Sequence, residues 1–289
     1  MTGVTGFEPP PEREIRRLLA LAAPWAWYTR PKVVGVENVP DDVRPLLFVG
    51  NHTLGGVLDA PLMFMALYRH KGIFLRSLGD HLHFKIPGWR EGLGRWGVVD
   101  GTRENCAALM RDGECILVFP GGGREVAKRK GEKYQLVWKQ RAGFARMAIE
   151  HGCTIVPFAA IGVEDALDVV FDADELMETP LGEPIRRLGM RTDVIPPIIR
   201  GIGPTMFPRP QRYYFQFRPA ISTKDLSGKH TDDDTCWSLR EQIKAEVECG
   251  IQELREIRER DPRRSFRTRM REDLGALAAK LFPRPFGGG

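Results

Sequence analysis

Seven short runs of β-branched, aromatic or leucine-rich residues punctuate this chain, and each is long enough only to cross a sheet once. They are Val33–Val36, Leu46–Val49, Ile73–Leu75, Gly97–Val99, Cys115–Phe119, Thr154–Phe158 and Tyr213–Phe217. Segments with helical apolar spacing fall before, between and after them, at Glu12–Tyr28, Val57–Tyr68, Arg103–Arg111, Arg141–His151 and Trp237–Arg258. Strands alternating with helices are the rhythm of an α/β fold. The expected architecture is a mixed, mostly parallel sheet flanked by helices, with a Pro-rich insertion and amphipathic terminal helices. The longest charge-free stretches near these runs, Leu18–Thr29 and Pro45–Leu58, fall short of the roughly 18 apolar residues of a membrane span. No segment is expected to cross a bilayer.

A length of 289 residues with 42% hydrophobic and 28% charged residues suits a globular α/β chain and excludes disordered, collagen-like and disulfide-scaffold classes. The expected organisation is an N-terminal amphipathic segment (1–30), one main domain (31–260) and a basic amphipathic C-terminal segment (261–289). Residues 170–212 form the Pro-rich insertion within the main domain. Prolines 180, 184, 196, 197, 204, 208 and 210 deny it a long helix or a central strand, leaving an irregular subdomain packed on the core or an apolar lip that admits a lipid chain. The start of the chain, with Glu8, Glu12, Glu14 and Pro9 to Pro11, does not read as a secretion signal. Five cysteines without a C-x-x-C pair suit a reducing cytosol and supply no zinc or redox motif.

The formal charge of +5 is concentrated. Between Arg255 and Arg271, eight arginines face three acids, a surplus equal to that of the whole chain. The apolar stripe Phe266, Met270, Leu274, Leu277 and Leu281 accompanies it. A cationic segment beside an apolar stripe, without an aromatic stacking platform, favours an anionic membrane surface over nucleic acid. A second candidate for interfacial contact is Ile15, Leu18, Leu19, Ala22, Trp25 and Trp27 with Arg13, Arg16 and Arg17. Each stripe can instead pack on this domain or on a neighbouring subunit. The stripe Leu239, Ile243, Val247, Ile251 and Leu254 reads as core packing.

The chemistry concentrates in Leu46–Asp59, LLFVGNHTLGGVLD. An apolar strand ends at Gly50, His52 follows in a small-residue loop, and Asp59 lies seven positions on. Histidine titrates near neutrality and can take a proton from a hydroxyl, while a carboxylate holds its tautomer. Downstream, Gly97–Arg103 places an arginine after a strand, and Phe119–Glu125 (FPGGGRE) supplies three glycines and a second arginine. Such loops bring backbone N–H groups and guanidinium forks to an anion. Gly92–Gly97 matches G-x-G-x-x-G but precedes a strand, so it is not a dinucleotide fingerprint. No G-x-S-x-G elbow is present, and His81-x-His83 lacks the further ligands of a metal site.

In order and spacing these blocks resemble the glycerolipid O-acyltransferases of the lysophospholipid acyltransferase type. Asn51, His52 and Asp59 match the first block, Gly97 and Arg103 the second, Phe119, Pro120, Gly122 and Arg124 the third, and Ile155, Val156 and Pro157 the fourth. Six residues separate His52 from Asp59 where the family has four, and Val57 stands at the family's acid position. Gly121 and Gly123 replace a glutamate and a threonine, leaving Glu125 as the carboxylate to compensate. The FPGGxRE form with the basic segment Lys128–Tyr134 is similar to the branch of diacylglycerol acyltransferases and phytyl ester synthases.

The resemblance implies transfer of an acyl group from acyl-CoA, as co-substrate, to a glycerolipid hydroxyl. It implies His52 and Asp59 as the catalytic pair, no acyl-enzyme, no metal and no cofactor. Asn51, Gly97, Arg103, Gly121, Gly122, Gly123, Arg124, Glu125 and Pro157 are then substrate-binding. The cations of Lys128–Tyr134 either contact phosphates of coenzyme A or a lipid headgroup, or form a solvated loop. An idle lipid-binding protein of the same fold and a lipid hydrolase are the alternatives. The implied location is the inner face of the membrane, on the cytoplasmic side.

Overall fold

The computed structural model describes residues 10–85, 88–187 and 195–281. Glu8 and Pro9, residues 188–194 of the Pro-rich insertion and residues 282–289 of the basic segment lie outside the described residues, as do the side chains of His83 and Leu281. Through the first half, the elements are α1 (Glu12–Thr29), β1 (Lys32–Val34), β2 (Leu46–Gly50), α2 (Ala60–Lys71), β3 (Leu75–Gly79), α3 (His81–Phe84), α4 (Trp89–Arg95), β4 (Val98–Asp100), α5 (Arg103–Arg111) and β5 (Cys115–Val118). There follow α6 (Gly123–Val126), α7 (Gly143–Glu150), β6 (Thr154–Ile161), α8 (Val163–Ala166), β7 (Asp168–Phe171), α9 (Ala173–Glu178), α10 (Gly182–Arg187), β8 (Ile198–Arg200), β9 (Tyr214–Phe217), β10 (Ile221–Ser222), α11 (Asp233–Arg260) and α12 (Phe266–Leu281).

The main sheet has eight strands in the order β1-β9-β6-β2-β5-β3-β4, with β10 also paired to β6. From β6 to β4 every pairing is parallel, and β9 and β10 run antiparallel to β6. β2 is central because Leu46–Gly50 is buried throughout, as a parallel strand covered on both faces requires. Alternation then divides its side chains between two cores. Leu47 and Val49 pack with α5, α7 and α11 through Leu109, Ala148, Ile243 and Val247. Leu46 and Phe48 pack with α2 and the aromatic face of β9 through Leu62, Leu67, Phe215 and Phe217, with Trp25 and Ala26 of α1 against them.

Three strand expectations change. β3 begins at Leu75 instead of ending there, because Arg76 and Ser77 continue it. Arg76 is 2% exposed and meets Glu114 at 3.3 Å, so a buried, paired charge lies inside a parallel strand. The Pro-rich insertion contributes an antiparallel ribbon, β7 with β8, fastened by two 2.8 Å hydrogen bonds from Arg209 to Asp168. β10 is a further two-residue strand, beside β6. Pro157 lies in the inner strand β6, where its carbonyl accepts the Arg218 N–H at 2.8 Å. That contact falls between the β9 and β10 pairings, an interval where the missing proline N–H interrupts no ladder.

The terminal helices are built into this body. Of the tryptophans in the N-terminal stripe, Trp25 packs on the domain, donating to Leu58 O at 2.6 Å and stacking on Tyr28, while Trp27 is exposed. Arg269 of α12 is buried and donates to the carbonyls of Arg263, Arg264, Tyr28 and Pro210, and Arg30 pairs with Asp273 at 2.5 Å. Among the described residues no helix is long and apolar enough to cross a membrane.

Candidate active site

The first three sequence blocks end on one edge of the sheet, at the carboxyl ends of its parallel strands, where open α/β sheets place their ligands. β2 delivers Asn51 and His52, β4 delivers Asp100–Arg103, and β5 delivers Phe119–Glu125. The Asn51 amide donates to Ala160 O and accepts from Ala160 N, both at 2.8 Å, in a buried position. It therefore clamps the strand end beneath His52. The His52 ring stacks on Phe119, centroids 3.9 Å apart and planes 6° from parallel. Stacking fixes the ring plane and leaves the nitrogens at its edge.

The long gap to Asp59 has a local cause. Gly55 and Gly56 take φ of 76° and 66°, two consecutive left-handed residues that insert an extra turn. Val57, at the family's acid position, is consequently 60% exposed, and Asp59 is the residue that turns inward. Asp59 opens α2 and is buried. Desolvation pushes its carboxyl up to about 6, opposed by the nearby Thr53 hydroxyl and the backbone N–H groups of Asp59 and Ala60. Its Oδ1 is buried and accepts no hydrogen bond among the described residues. Trp25 braces this turn through Leu58, a contact across 33 residues that sequence periodicity does not register.

After β5, the Gly122 N–H is taken by Phe119 O at 3.0 Å, so this N–H of the glycine run is not free to meet an anion. Gly122 itself, with φ 53°, turns the chain into α6. Gly121 is buried against Glu125 and Val137 O. Glu125, expected to touch substrate, is fully buried. Burial pushes its carboxyl up to about 8, opposed by the His52 backbone N–H, the Lys128 charge and the Val137 N–H, which donates to Oε1 at 3.4 Å.

Arg124 is also differently employed from expectation. Its guanidinium forks onto both carboxylate oxygens of Glu132, with the Nη1 contact at 2.9 Å. The basic segment is likewise engaged: Lys128 with Glu164 at 2.6 Å, Arg129 with Asp174 at 3.0 Å, Lys130 with Glu175 at 2.5 Å and Lys133 with Asp165 at 2.6 Å. It is an ion-paired collar. Arg103, by contrast, stands exposed in the first turn of α5, with no ion pair or hydrogen bond among the described residues. Three strand spacings separate β4 from β2, about 14 Å across the sheet. Gly97 packs under Phe74 and Leu75 O, where a Cβ would lie 2.6 and 2.8 Å from its neighbours, and Pro157 is buried opposite Val49. Both are packed within the sheet. His81 Nδ1 pairs with Asp100 at 2.6 Å, and no group of three or more potential metal ligands occurs among the described residues.

Both raised carboxyls have a consequence for folding. The folded chain keeps these protons at pH values where the unfolded chain has released them, so their contribution to stability is complete below the unfolded values and is lost as pH rises towards about 6 for Asp59 and 8 for Glu125. Glu125→Gln is therefore expected to gain stability relative to the parent between about pH 4.5 and 8. Denaturant midpoints at three pH values across that window test it, and a constant difference would contradict it.

The family profile described as Acyltransferase matches residues 30–161. Phytyl ester synthase 1, chloroplastic, of Arabidopsis thaliana is 32% identical over 271 residues, covering 87% of this chain and 38% of that protein. The DGAT1/2-independent enzyme synthesizing storage lipids of Homo sapiens is 38% identical over 137 residues, covering 47% of this chain and 40% of that protein. The chain thus spans about two fifths of the length of these relatives. The crystal structure of the 1-acyl-sn-glycerophosphate acyltransferase of Thermotoga maritima is similar at a TM-score of 0.48 and 16% identity, over 84% of this chain and 79% of that one. His52, Asp59, Arg103 and the glycine loop before α6 all fall inside the matched residues, and the chain belongs to the acyltransferase family.

Proposed function

We propose that the chain is a lipid acyltransferase that moves a fatty acyl group from acyl-CoA to a hydroxyl of a glycerolipid, either a lysophospholipid or diacylglycerol. The observation that carries this reading is His52, held at the end of the central strand with its ring flat against Phe119. His52 takes the proton of the acceptor hydroxyl as its oxygen attacks the thioester carbonyl. The tetrahedral intermediate collapses, breaking the C–S bond, and the leaving thiolate takes the proton back from the imidazolium. Asp59 stabilises that imidazolium, and its unpartnered buried Oδ1 is an acceptor suited to the task. Arg103 receives an anionic group of an extended substrate reaching along the strand ends. Incubating the purified chain with labelled acyl-CoA and a panel of lysophospholipids, diacylglycerol and an isoprenoid alcohol tests the reading. Acylated glycerolipid supports it; only a wax-type ester, only free fatty acid or no turnover would each replace it.

The same reading includes an anionic membrane as the place of work. Tyr28 gathers three distant apolar elements, lying 5.6 Å from Phe207 of the Pro-rich insertion and 6.3 Å from Phe266 of α12. Leu21, Trp27, Met206, Phe207, Leu274 and Leu277 are exposed on these elements, beside the arginines of α12. The double variant Leu274→Ser, Leu277→Ser is expected to bind anionic vesicles at least about tenfold more weakly in flotation, since each leucine buried in an apolar phase contributes about 1.5–3 kcal/mol. Equal flotation of parent and variant would remove α12 from the docking surface.

A further inference from the structure

We infer that Glu125 is a positioning residue that holds the His52 loop in register, and that Gly121 is glycine in order to admit it. This rests on His52 acting as the base. Two adjacent residues of α6 grip the loop. The Glu125 carboxyl faces the backbone N–H of His52, and the Val126 carbonyl accepts the Gly55 N–H at 3.2 Å. Just past the second point the loop is folded tightly against the ring. A Cβ on Gly56 would lie 2.9 Å from His52 Cε1, 3.0 Å from Nε2 and 3.0 Å from Val126 Cγ2.

Glu125 occupies an expensive position. It is fully buried, Oε1 has one long hydrogen bond from Val137, and Oε2 accepts none among the described residues. An under-satisfied buried carboxyl of this kind is disfavoured by the solvation it has lost. It is tolerated here because the backbone around it is fixed. Lys128, three residues on, is locked by Glu164 and by Gln135 O at 2.8 Å, and Glu164 also accepts the Tyr134 N–H at 2.7 Å. The collar therefore holds α6 from behind while Glu125 faces forward to His52. Any side chain at position 121 would collide with Glu125 Oε2 and with Val137 O, so the glycine and the glutamate are one arrangement.

Glu125→Ala, Glu125→Asp and Glu125→Gln decide the matter, with circular dichroism melts to establish folding. Amide hydrogen exchange at His52 reports the loop, and steady-state assays report kcat and KM. Glu125→Asp keeps the carboxyl group but withdraws it by one methylene, and it is expected to behave like alanine. Both are expected to exchange the His52 amide at least about tenfold faster and to lose about 10²-fold in kcat at nearly constant KM, the scale of an ångström-sized misplacement. Glu125→Gln keeps an acceptor oxygen and is expected to restore protection and most of kcat. Folded alanine and aspartate variants with parental His52 exchange and parental kcat would overturn the inference. A parent chain inactive on every acyl donor and acceptor would sink the functional reading alone, because His52 exchange still separates the variants. Should the alanine chain not fold, the contrast between the aspartate and glutamine variants carries the same decision.

Discussion

His52→Ala is expected to slow acyl transfer by about 10²–10⁴-fold, the range removed when a positioned general base is lost. Its KM for acyl-CoA should change little, since nothing in the proposed chemistry asks the imidazole to bind the thioester before attack. Folding should survive, because the ring lies on Phe119 in a half-buried loop and not inside either core. Asp59→Asn makes a second, smaller test of the same pair. It removes a carboxyl whose desolvation is unfavourable while preserving its volume, so activity should fall as stability holds or rises above about pH 6. Full transferase activity in the His52→Ala chain would exclude the mechanism outright. Full activity in the Asp59→Asn chain would confine the error to the acid.

Lys128→Met should bring the largest loss of stability. Lys128 and Glu164 are 3% and 7% exposed and 2.6 Å apart, and removing the ammonium leaves Glu164 buried and unpaired. Breaking a buried pair in this way costs about 3–5 kcal/mol, which is a large part of the 5–15 kcal/mol by which domains are usually stable. The comparison that gives the figure meaning is Lys133→Met. Its ammonium, 47% exposed, meets an Asp165 that Tyr134 and Arg258 also hold, so its removal should cost less than about 1 kcal/mol. Guanidinium titration of the two variants side by side should separate them clearly. Equal losses would mean that the collar does not brace α6 from within.

Where function depends on local order, the sequence was readable. An apolar run ending in Gly50 announces a central strand, and His52 then stands at its carboxyl end. The FPGG turn after β5 announces a second loop on the same edge. The i, i+4 stripe of α11 announces its buried face, and Leu239, Ile243, Val247, Ile251 and Leu254 are all buried. What escaped was long-range pairing. Arg76 conceals β3 because a charge reads as a strand end until Glu114, 38 residues away, neutralises it. The cations of 128–133 look available until acids at 164–175 close on them. Trp25 looks interfacial until Leu58 accepts its indole N–H. Pairing partners so distant leave no mark on the spacing of either segment. The exception is Glu125, whose odd placement beside a glycine run was visible in the residues themselves, although its burial was not.

The contact between positions 121 and 125 also constrains how this site can change over generations. With Glu125 present, even alanine at 121 meets both a carboxylate and a backbone oxygen, and with glycine at 121, loss of Glu125 releases the loop that carries His52. Substitutions at the two positions are therefore non-additive, and a combinatorial library spanning both should return functional chains as matched pairs and not as independent choices. A lineage that moves the carboxylate from one position to the other must cross a chain with both or with neither, and each of those is impaired. Position 121 is in this sense hereditary baggage of position 125: the smallest residue in the loop is the one least free to drift.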